Sequence, residues 1–219
     1  RGHGLSGAPD SLEPYAFDRV IDDLAAVHET AADAEPAIVG GLSIGGLVSL
    51  VYALRHPDRV RAVVLVNTGP GFKKPEALDR WREGLERAAR RLEERGIAGH
   101  LEGQRAQDEI LGLDPEKPAA QAAREGVLRS SSEALARFAR GVAGRVPGII
   151  DDLKQIEAPT LIVVGELDPF FQRAAEVMEA KLPRARKVSV EGAGHVVNLD
   201  QPERFERVVR EFLVEVGVL

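Results

Sequence analysis

The chain has 219 residues, 44% hydrophobic and 29% charged, a balance that suits one globular domain with a sizeable core and excludes a disordered chain. A net charge of −6 without any basic stripe argues against a nucleic-acid partner. The absence of cysteine excludes disulfides and thiolate metal sites and fits the cytoplasm, and neither a secretory signal nor an apolar run long enough to span a bilayer is visible.

Residues 1–14 are rich in Gly, Pro, Ser and Asp and read as loop. Residues 15–33 predict a helix with Phe17, Val20, Ile21, Leu24, Ala25 and Val27 on one stripe. A short buried strand is expected over 37–42. It runs into Gly41-Leu42-Ser43-Ile44-Gly45-Gly46, and a helix follows over 45–56 with Leu47, Leu50, Val51 and Leu54 on one face. Pro57 and Asp58 end that helix. Residues 61–66 form a second buried strand, too apolar for alternation, as in a parallel sheet covered on both faces.

Composition shifts at Asn67-Thr68-Gly69-Pro70-Gly71, and the pattern then stays helical to about Ile156. Leu78, Trp81, Leu85, Ala88 and Leu92 mark one amphipathic helix that Gly96 closes, and Ser130 with Glu133 suggests a capping box. Arg82, Arg87, Arg90, Arg91 and Arg95 alternate with Glu83, Glu86, Glu93 and Glu94, which reads as a solvated helix face laced with ion pairs. Strands over 160–164 and 187–190 and helices over 170–182 and 199–216 complete the chain. The expected fold is α/β, a mostly parallel sheet with helices on both faces. Residues 1–69 and 157–219 are its core, and 70–156 an inserted helical lid.

Ligands gather outside the carboxyl ends of the strands in such a sheet. Ser43, Asp168 and His195 each follow a predicted strand, and their chemistry is complementary. A serine hydroxyl is a poor nucleophile until a base accepts its proton; a neutral histidine can do so near pH 7, and a carboxylate fixes its tautomer. The Ile44 backbone amide, opening a helix, suits a developing oxyanion. The competing readings are a helix N-cap for Ser43, a loop histidine for His195 and a turn residue for Asp168. Glu166 is the rival acid, whereas Asn67 is not a carboxylate and does not compete. His28, His56 and His100 read as surface or packing residues, Trp81 and Phe138 as packing between lid helices, and Phe170 and Phe171 as pocket wall or core. No pair at metal-ligand spacing appears, the glycine-rich run lacks the lysine of a phosphate loop, and no cofactor is called for.

The order Ser–Asp–His with the serine in Gly-x-Ser-x-Gly resembles the α/β-hydrolase superfamily, within it the lid-bearing esterases, enol-lactonases and carbon–carbon hydrolases. Gly165-Glu166-Leu167-Asp168 resembles the family's acid loop. Gly192-Ala193-Gly194-His195 with Asp200-Gln201-Pro202-Glu203 resembles its histidine loop and closing helix, and Arg1-Gly2-His3-Gly4 the loop after its fourth strand. The resemblance implies Ser43 as nucleophile, His195 as base, Asp168 as orienting acid, and a small ester or lactone as substrate, cleaved through an acyl-enzyme. Carbon–carbon, thioester or haloperoxidase-like chemistry, or a weakly active binding module, are the alternatives. It also implies three or four strands before Arg1, carrying the second oxyanion donor. The chain is therefore expected to be part of a longer hydrolase, its first strand at an exposed edge, with a second copy or the missing N-terminal segment as partner.

Overall fold

The computed structural model describes residues 1–33 and 35–219. The apolar runs form β1 (Ala37–Leu42), β2 (Val60–Val66), β3 (Thr160–Gly165) and β4 (Ala185–Val190), which pair in that order, all parallel. Leu42, Val66, Val163 and Val188 stand in register across the sheet, so the four carboxyl ends share one edge. β1 and β4 are the outer strands among the described residues.

Both faces are buried, which explains the absence of alternation in the strand sequences. On one face Ala62, Val66, Leu161, Val163 and Val190 pack with Val208 and Phe212 of α9 (Pro202–Glu215). On the other, Val39, Val63, Leu65, Ile162 and Val164 are each at most 6% exposed. Each such side chain stabilises the fold by about 1.5–3 kcal/mol. α2 (Ile44–Arg55) packs on β1 and β2, and α7 (Pro169–Lys181) on β3 and β4. His28, in α1 (Phe17–Ala31), is a buried packing residue that hydrogen-bonds the Tyr52 hydroxyl at 2.8 Å and the Glu35 carbonyl at 2.7 Å.

The chain forms two compact units. Asp23–Gly71 with Ile149–Leu219 contains the sheet; Arg1–Asp22 with Phe72–Gly148 forms the other. In the latter, α3 (Pro75–His100), α4 (Gln104–Ile110), α5 (Pro118–Leu128) and α6 (Ser132–Gly141) enclose a second core of Ala89, Leu92, Ile97, Leu101, Leu111, Ala120 and Ala136. Arg140 binds both Glu86 and Glu93, tying α6 to α3.

Residues 1–22, grouped with the sheet in the sequence reading, pack in the helical unit. The Gly4 N–H donates to Ser130 Oγ at 2.8 Å, Arg137 donates to the Pro9 carbonyl at 3.2 Å, and Gly141 leaves no room for a Cβ beside Tyr15. Ser130 is thereby engaged elsewhere, and the cap of α6 is Ser131, whose hydroxyl accepts from the Ala134 N–H. Gly96 interrupts α3 rather than ending it: at φ 67° it kinks the helix and the chain continues to His100. Among the described residues no helix is long and apolar enough to cross a membrane.

Candidate active site

Ser43 sits between β1 and α2 with φ 52° and ψ −118°, a backbone state costing a non-glycine residue about 1–3 kcal/mol. Its surroundings enforce it. The Ser43 N–H donates to the Val66 carbonyl at 2.9 Å, and its own carbonyl accepts from the Thr68 hydroxyl at 2.6 Å and the Gly46 N–H at 3.0 Å. Gly41 is required because a Cβ there would run into the Gly45 carbonyl, so strand and helix touch through bare backbone. Gly45 itself has open space at its Cβ position. Ser43 occupies the N-cap position of α2, but its hydroxyl makes no capping bond there. Ile44 is the first helical residue, and its N–H belongs to the set left without intrahelical acceptors at the positive end of the helix dipole.

Asp168 and His195 meet. The Nδ1–H of His195 donates to Asp168 Oδ2 at 2.7 Å, with the two side chains 13% and 11% exposed. That bond fixes the proton on Nδ1 and leaves Nε2 as the acceptor, the arrangement a general base requires. Phe171 lies against the imidazole with ring centroids 5.2 Å apart, while Phe170 is 59% exposed. Glu166 is occupied elsewhere: its Oε2 accepts the Gly192 N–H at 3.0 Å. Among the described residues no hydrogen bond joins Ser43 to His195, so the geometry unites Asp168 with His195 and leaves the serine hydroxyl unbonded.

Two residues with no assigned part in the sequence reading hold these loops. Asn67, 1% exposed and at φ 37°, follows β2 directly. Its Nδ2 donates to the carbonyls of Gly194 at 2.8 Å and His195 at 2.6 Å, and its Oδ1 accepts the Gly165 N–H at 2.9 Å. One side chain thus binds the histidine loop to the start of the acid loop, while its neighbours Val66 and Thr68 hold Ser43. Asp200, also buried, accepts the Gly194 N–H at 2.8 Å. The only sequence signal for Asn67 is a residue tolerant of positive φ at a strand's carboxyl end.

His3, Trp81 and Phe138 lie in the helical unit. His3 packs edge-on against Phe138 with centroids 4.6 Å apart, and the Trp81 indole N–H donates to the Ala143 carbonyl at 2.8 Å.

The model of the alpha/beta hydrolase fold family matches residues 1–202. A Bacillus subtilis protein provisionally named 2-succinyl-6-hydroxy-2,4-cyclohexadiene-1-carboxylate synthase is 31% identical over 221 residues, covering 98% of this chain and 79% of its own. A pimeloyl-[acyl-carrier protein] methyl ester esterase of Neisseria meningitidis is 30% identical over 225 residues, covering 97% and 80%. Among solved structures, MenH from S. aureus superposes with a TM-score of 0.86 at 25% identity, covering 98% of this chain and 81% of that one. By its sequence, its parallel sheet and the turn that carries Ser43, the chain belongs to the alpha/beta hydrolase fold family.

Proposed function

We propose that this chain is a serine hydrolase that cleaves a small carboxylic ester or lactone through an acyl-enzyme. Ser43 attacks the carbonyl carbon, His195 Nε2 takes the hydroxyl proton, and Asp168 stabilises the imidazolium that results. The Ile44 N–H donates to the oxyanion, and the proton passes from His195 to the leaving alkoxide. Water, deprotonated by the same imidazole, then releases the acid. Residues 70–156 are assigned the role of a substrate-selecting lid.

The observation that carries the reading is the 2.7 Å bond between His195 and Asp168, which fixes the tautomer a base needs. The strained Ser43 turn and the esterases among the relatives support it. The test is hydrolysis of a panel of p-nitrophenyl esters and lactones, following the burst of first turnover. Asp168→Asn should lower kcat by roughly a thousand- to ten-thousand-fold, while Glu166→Gln retains most activity. Equal losses in both variants, or none in either, would overturn the assignment. A second reading is that the same three residues act on a carbon–carbon bond; a relative named as a synthase shows that the proteins similar to this chain are not all named esterases. Turnover of a 1,3-diketone in preference to every ester would establish it.

A further inference from the structure

The charged face of α3 divides into two parts that the sequence does not separate. Arg82 pairs with Asp79, Arg90 with Glu86, and Arg140 with Glu86 and Glu93. Arg80, Arg87 and Arg91 have no carboxylate within salt-bridge distance among the described residues. All three line one cavity of about 210 Å³ between α3 and α4. Arg87 and Arg91 stand one helical turn apart, where like charges repel and ordinary surface design would place a glutamate. Arg105 adds a fourth guanidinium, neutralised by Glu109 at 2.7 Å.

His100, past the kink at Gly96, also lines the cavity. Burial first, and Arg91 second, hold the His100 pKa below its ordinary value.

We propose that the cavity between α3 and α4 binds a phosphate group, either as free phosphate or as the head of a phosphate monoester. Three uncompensated guanidinium groups supply planar donor forks that match tetrahedral oxyanions. The volume lies below the roughly 300–1,000 Å³ of sites for larger organic ligands, so only the anionic head is enclosed. The proposal does not depend on the hydrolytic reading.

Trp81, the single tryptophan of the chain, lines the cavity and provides the readout. Its fluorescence is followed while inorganic phosphate, pyrophosphate, glycerol phosphate or succinate is added at constant ionic strength of about 0.15 M, where surface charge effects are screened beyond about 8 Å. A saturable change is expected with phosphate species and not with succinate or chloride. The Arg87→Gln/Arg91→Gln double variant should weaken it at least about tenfold, and Arg184→Gln should not alter it. Saturation by inorganic phosphate and pyrophosphate identifies a free anion as ligand; saturation by glycerol phosphate alone identifies a monoester. These arginines are exposed, and unchanged circular dichroism certifies that the variants are folded. No saturable change with any phosphate species, an equal response to succinate, or an unchanged response in the folded double variant would overturn the proposal.

Discussion

Asn67→Ala removes three hydrogen bonds with one truncation and tests how the site is held. The change leaves the Gly165 N–H and the Gly194 and His195 carbonyls without partners. Gly165 and Gly194 are buried, so water reaches them poorly. Leaving one buried polar group unsatisfied costs about 1–3 kcal/mol. Three such groups would give about 3–9 kcal/mol if the costs added, but groups sharing one network do not add. Entry of one water into the vacated volume would satisfy part of the set. The expected loss is therefore about 3–4 kcal/mol, read as a lower urea midpoint at unchanged slope. Asn67→Asp keeps the shape but turns a donor into an acceptor facing two carbonyl oxygens, and should lose about as much at neutral pH. If the account is right, reactivity also falls, by up to about 100-fold, because the loop carrying His195 is released. A folded Asn67→Ala protein within about 0.5 kcal/mol of the parent and of equal reactivity would refute the reasoning.

Gly41→Ala should destabilise by several kcal/mol or prevent folding, because its Cβ meets the Gly45 carbonyl; Gly45→Ala, with open space, should be neutral or raise the midpoint by up to about 1 kcal/mol, as helical Gly→Ala changes do. Thermal melts of the two variants check the contrast. Hydrogen bonds from Arg140 and then Arg90 hold the Glu86 pKa at about 2, below its ordinary 4.5, and Arg140 lowers that of Glu93 as well. A depressed carboxyl contributes stability above its unfolded value and loses it as pH falls through the folded one, so these bridges fade between pH 4.5 and about 2. Since the Glu86 side chain is 39% exposed, each bridge contributes at most about 1 kcal/mol; Arg140→Gln should flatten the acid limb of a stability-against-pH curve and leave its alkaline limb unchanged.

Features carried by local pattern were legible in the sequence. The apolar runs gave four strands, and β1, β2, β3 and β4 begin and end within two residues of the expected positions. The glycines around Ser43 sit where a strand runs straight into a helix, and φ 52° at Ser43 is the strain of that turn. Distances across the fold were not legible. Asn67 acts on partners 98 to 128 residues away, and no periodicity encodes such pairings. Ser130 and Ser131 are chemically alike; Gly4 engages the first, and so the second caps α6. A glycine after an amphipathic run is the usual signal of a helix stop, but the residues after Gly96 resume helical geometry. The alternating Arg–Glu pattern likewise gave no hint that Arg80, Arg87 and Arg91 would gather without partners around one cavity.

The central claim is that Ser43 is a nucleophile activated by His195, and covalent labelling with a fluorophosphonate probe, read by peptide mass spectrometry, tests it without knowledge of the substrate. Labelling is expected to be confined to the peptide containing Ser43, lost in His195→Ala and strongly slowed in Asp168→Asn. Labelling of another residue, labelling of Ser43 that persists undiminished in folded His195→Ala, or no labelling of the folded parent protein would contradict it.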